Sequence, residues 1–106
     1  MTARTAAALG RTFSDDALAA LCRRWKVREL ALFGSVLTAA FTSESDLDVL
    51  VTFDDDAPWD LFDLVNLRDE LTAMLGRPVD LVERRALVNP YRRRAILSDL
   101  EVLYAA

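Results

Sequence analysis

Apolar positions fall into two rhythms along this chain. Leu18, Leu21, Cys22 and Trp25 recur at helical spacing, behind Ser14 as an N-cap and Asp15 and Asp16 in the first turn. The spacing predicts a helix to about Trp25. Residues 27–33 then read as a strand, with Leu30 and Leu32 on one side and Ala31 and Phe33 on the other, stopped by Gly34. Residues 36–41 predict one or two helical turns, and 42–45 a polar turn. Residues 47–53 are apolar on both faces, as in a central strand. An amphipathic helix is expected over 59–75, with Leu61, Leu64, Val65, Leu67, Leu71, Met74 and Leu75 as its buried stripe and Gly76 as its stop. Trp59, Leu61 and Phe62 are expected in the core, with a partner surface as the alternative. Residues 79–83 predict a third strand. Asn89-Pro90 opens a last helix, whose Ile96, Leu97, Leu100, Leu103 and Tyr104 are expected to bury one side. The fold class is therefore α/β (α+β): one sheet of three or more strands packed with helices.

Composition narrows the class. At 106 residues, 53% of them hydrophobic, the chain can build one core and a single domain, expected over 14–106. Residues 1–13 lack the order of a secretory signal and are expected as a flexible leader. No apolar run reaches the ~18 residues of a membrane span, so no membrane association is expected. Cys22 is the one cysteine, which excludes an intramolecular disulfide and a cysteine cage and points to cytoplasm. The absence of histidine excludes imidazole acid–base chemistry. A net charge of −4 argues against direct DNA binding. Charge is unevenly spread: aspartates crowd 46–63, whereas Arg84, Arg85, Arg92, Arg93 and Arg94 mark the tail. Those arginines read as a solvated helix face, or alternatively as a docking surface for an acidic partner or a triphosphate.

The candidate chemistry lies where the rhythm is broken. Asp46 and Asp48 interrupt the entry to an apolar strand, where charge is costly unless compensated. Two residues apart on a strand, their carboxylates share a face, roughly 5–7 Å apart. At an effective dielectric near 20 they repel by about 3 kcal/mol. A hard divalent cation such as Mg²⁺ relieves that repulsion and keeps positions open for phosphate. Gly34-Ser35 adds backbone N–H groups and a hydroxyl that can meet an anion. Asp80, on the third strand, joins the pair if that strand lies beside the second. Each feature is common singly; an Asp-x-Asp in an aspartate-rich chain is most often incidental.

Together, Leu32-Phe33-Gly34-Ser35, ten intervening residues, Asp46-Leu47-Asp48-Val49-Leu50-Val51 and the later Val79-Asp80-Leu81-Val82 resemble the polymerase-β-type nucleotidyltransferase superfamily. The length resembles its minimal nucleotidyltransferase (MNT) branch, typically antitoxins encoded with a HEPN-domain ribonuclease toxin. The resemblance implies a polymerase-β-like core with a mixed sheet. It implies that Asp46, Asp48 and Asp80 are catalytic and hold two Mg²⁺ ions, and that Gly34 and Ser35 bind the phosphates of ATP. It also implies transfer of AMP to a toxin tyrosine within a hetero-oligomer. One departure stands out. Members often carry an arginine shortly after Gly-Ser, and no basic residue lies between Ser35 and Asp46 here. Arg84, Arg85 or a partner are the expected substitutes. The alternatives are an antitoxin of the same fold that neutralises by binding alone, and a small-molecule nucleotidyltransferase.

Overall fold

The computed structural model describes residues 13–42 and 44–106. Most of the expected leader, residues 1–12, lies outside them, as does Ser43 of the polar turn; Phe13 packs against the core. The order is α1 (Asp15–Arg24), β1 (Val27–Phe33), a 3₁₀ turn (Gly34–Leu37), β2 (Leu47–Phe53), α2 (Leu61–Leu75), β3 (Val79–Glu83), a second 3₁₀ turn (Arg84–Ala86), α3 (Pro90–Leu97) and β4 (Glu101–Ala105).

The strands form one mixed sheet in the order β3-β2-β1-β4. β1 is antiparallel to both β2 and β4, and β2 is parallel to β3. A parallel pair cannot be joined by a tight turn. Here α2 makes the crossover, and its three fully buried positions, Leu67, Leu71 and Leu75, recur every fourth residue toward the sheet. Side-chain alternation sorts the strands onto two faces. Leu30, Leu32, Leu47, Val49 and Val51 join Leu18, Leu21 and Cys22 of α1 and the α2 leucines in one large cluster. Phe33 and Leu50 point the other way and meet Leu87 and Ile96 in a small one.

Local signals set the helix ends. The Ser14 hydroxyl accepts the Ala17 N–H at 3.1 Å. Asp60 and Asp63 close a reciprocal capping box, so α2 starts at Leu61 rather than Trp59. Gly76 closes it in the left-handed region, φ 74°. Cys22 is buried, and burial pushes its thiol up to about 12, consistent with the expected core role.

Two expectations need correction. The final helix does not continue to Tyr104; it ends at Leu97, and Glu101–Ala105 forms β4 along the free edge of β1. Leu100, Leu103 and Tyr104 suit helical spacing, but an unpaired β1 edge offers a full ladder of backbone hydrogen bonds to a strand. The stripe of α2 is also narrower than expected. Leu61 and Phe62 are 73% and 79% exposed, and Val65 is exposed too. Only Trp59 of the expected aromatic-aliphatic trio is partly buried. Its indole N–H donates to the Trp25 carbonyl at 2.6 Å and its ring packs on Trp25 at 4.9 Å.

Candidate functional site

The polypeptide turns at Gly34 with φ +75°, a region L-residues rarely occupy. A second constraint acts there. A Cβ at this position would lie 2.2 Å from Asp48 Oδ2, so the glycine leaves the room the carboxylate uses. The next residue, Ser35, hydrogen-bonds Asp48 through its backbone N–H.

Asp48 is the second residue of β2, on the face opposite the large core, and is half-buried. Asp80 is its register partner on β3. Parallel partners project to the same side, so the two carboxylates are neighbours. Asp46 lies one residue ahead of β2 and is exposed. Its segment is braced from the far side of the crossover. The Leu47 N–H donates to the Pro78 carbonyl at 2.8 Å. Arg77 donates to the Thr42 and Ser45 carbonyls at 2.7 and 3.0 Å, and its guanidinium lies 4.4 Å from the centre of the Phe41 ring. Arg77 was not anticipated from sequence; its one signal is its place between Gly76 and Pro78, immediately before β3.

The charges of these residues act together on Asp48. The Asp48 carboxyl is held above the usual range first by burial, then by the charge of Asp80 and, more weakly, of Asp46. The Ser35 N–H and the charge of Arg92 oppose that rise. Of the five residues expected from sequence, Gly34, Ser35 and Asp80 adjoin Asp48, and Asp46, one residue ahead of β2, acts on it through its charge. The expected basic substitutes lie elsewhere. Arg85 faces Asp55 at 3.5 Å, and Arg84 lines a different hollow with Glu83, Arg93 and residues 51–53, at the other end of β2. Arg92 instead lines a cleft of about 420 Å³ with Phe33, Gly34, Thr38, Ala95, Ile96 and Asp99. Sequence had grouped it with four other arginines; what distinguishes it is its spacing of four from the buried Ile96.

Among the described residues, no group of three or more His, Cys, Asp or Glu side chains is placed so that it could hold a metal ion. The donors Asp46, Asp48 and Asp80 offer carboxylate oxygens only, and their mutual repulsion is relieved by positive charge. That set suits a hard cation that keeps water and shares its coordination with a phosphate. It does not suit a structural ion held by protein alone.

A mixed sheet with a glycine-serine turn beside two strand-borne aspartates, Asp48 and Asp80, and a third just ahead of β2 defines a nucleotidyltransferase core. Residues 15–103 match the nucleotidyltransferase domain model, and the chain belongs to that family. A Methanocaldococcus jannaschii protein, provisionally named a protein adenylyltransferase, is 36% identical over 77 residues, 73% of this chain and 77% of that one. A solved structure provisionally described as a minimal nucleotidyltransferase is 34% identical, with a TM-score of 0.65, over 81% of this chain and 85% of its own. A third match is to a structure of a tri-AMPylated Shewanella oneidensis HEPN toxin in complex with an MNT antitoxin. At 23% identity and a TM-score of 0.60, covering 87% of this chain and 70% of that one, it shows the shared fold. Among the described residues no helix is long and apolar enough to cross a membrane.

Proposed function

We propose that this protein is a Mg²⁺-dependent protein adenylyltransferase acting as an antitoxin. It transfers AMP from ATP to a tyrosine of a partner HEPN ribonuclease toxin and so neutralises it. The observation that carries the proposal is the convergence on Asp48 of Gly34, Ser35, Asp80 and Asp46. The family supports the reaction type, and the toxin complex among its structural relatives supports the partner.

In this proposal Asp46, Asp48 and Asp80 would hold two Mg²⁺ ions, which would supply charge stabilisation to the reacting phosphate. The Gly34 turn admits the phosphates close to the backbone. The Ser35 N–H is already given to Asp48, so the Ser35 hydroxyl is the group it offers to the β- and γ-phosphates. The tyrosine oxygen attacks the α-phosphorus. A new P–O bond forms, the bond to the bridging oxygen breaks, and pyrophosphate leaves with that electron pair. Asp80, the more exposed of the register pair, receives the tyrosine proton or orients the hydroxyl. Positioning and charge account for the catalysis, as is general for phosphoryl chemistry.

The test is mass spectrometry of a HEPN partner incubated with the protein, Mg²⁺ and ATP. Adducts of whole adenylate groups are expected, and none with a variant carrying both Asp46→Ala and Asp48→Ala. Adducts persisting in that variant overturn the assignment. A second reading, neutralisation by binding alone, is favoured by the absence of a basic residue from 36–45. It predicts equal protection by wild type and the double variant.

A further inference from the structure

Two divalent ions leave a triphosphate and three carboxylates anionic together. A further cation is therefore needed, and the segment from Ser35 to Asp46 contains none. α3 supplies the candidate. Asn89 caps it, accepting the N–H groups of Tyr91 and Arg92 at 3.0 and 3.1 Å, so those amides are not free to meet an anion. Ile96, 8% exposed, seats the helix on Phe33, Leu50 and Leu87. With Ile96 anchored inward, Arg92, Ala95 and Asp99 fall on the same side and line the cleft that contains Gly34. Arg93 turns toward the other end of β2. Arg92 enters no ion pair among the described residues, whereas Arg85 is engaged by Asp55.

We propose that Arg92 is the phosphate-binding cation of this site, contributed by α3 across the cleft in place of the residue missing after Ser35. Its planar fork suits two phosphate oxygens at once. The cleft is polarised: Asp99, just past the end of α3, lines the same cleft and repels phosphate, which directs the β- and γ-phosphates to the Arg92 end. This inference rests on the nucleotide site proposed above.

The experiment is titration calorimetry of the full chain with ATP and Mg²⁺, comparing wild type, Arg92→Ala, Arg92→Lys and Arg84→Ala. A contact to charged phosphate of the usual strength predicts about tenfold to a hundredfold weaker MgATP binding in Arg92→Ala. Arg92→Lys should recover part of it, and the loss should shrink from ATP to ADP to AMP. Arg84→Ala should bind as wild type does. Thermal melts of each variant separate lost binding from lost fold, and exposed Arg92 is expected to leave the melt unchanged. Wild-type affinity in Arg92→Ala overturns the inference and leaves the proposed function standing, as does an equal loss for all three nucleotides. Wild-type protein that binds no MgATP overturns both.

Discussion

On one face of the sheet, α1 and α2 seal Leu30, Leu32, Leu47, Val49 and Val51 beneath the leucines of both helices. On the other face, one eight-residue helix, α3, covers Phe33 and Leu50, and the sheet beyond it is open at the aspartates. The same strands build both faces, since neighbouring residues point to opposite sides. Leu47 and Val49 belong to the sealed face, and Asp48 between them belongs to the open one. Stability is concentrated on the first face and chemistry on the second. A strained turn and a cluster of like charges are tolerated at the open end because the sealed face holds the register.

The sharpest way to break this comparison is to damage each face equally. Leu71→Ala removes a fully buried side chain from the sealed face and is expected to cost about 2–5 kcal/mol by denaturant titration. Ile96→Ala, at the margin of the small cluster, should fall at or below the low end of that range. Equal losses would mean that the faces share the load. Gly34→Ala comes next. The left-handed backbone alone costs about 1–2 kcal/mol, and the new methyl must displace the Asp48 carboxylate. Nucleotide transfer should therefore fall much further than the melting temperature; a proportionate fall would make the turn merely structural.

Asn89→Ala removes the α3 cap and is expected to cost about 1 kcal/mol. Hydrogen exchange should quicken in α3 and leave α1 and α2 unchanged. The smallest effect has the opposite sign. Asp48 is held above its ordinary carboxylate range by burial and by Asp80, so ionising it disfavours the folded state. Its contribution to stability is present below the unfolded-state value and is lost as pH rises through the folded one. Asp48→Asn should thus raise the melting temperature of metal-free protein at neutral pH. That gain should vanish once the pH falls below the usual carboxylate range. Added Mg²⁺ should stabilise wild type and not the variant.

The open face was the more legible in sequence where its chemistry is local. Gly34-Ser35 and the Asp46–Asp48 spacing bring their partners with them, because a strand fixes which side each residue takes. Asp80 could be placed beside them only if β3 paired with β2, and the register does pair them. Arg92 was less legible, since its role depends on how α3 lands rather than on its neighbours in the chain. β4 was misread for a related reason. Glu101–Ala105 is short, its apolar residues suit either rhythm, and its partner β1 lies some seventy residues earlier. Leu61 and Val65 extended an amphipathic pattern past the point where α2 meets the sheet.

The pairing of Asp48 with Asp80 has a consequence for how errors in this chain would show themselves. A slip of β3 by one residue along β2 would carry Val79 and Leu81 out of the sealed core and turn Asp80 inward. One displacement would spoil packing and chemistry together. A misregistered molecule would thus be both unstable and inactive, and catalytic competence would report on correct assembly. An insertion or deletion of one residue within β3 should therefore be harder to rescue than any single substitution at the site.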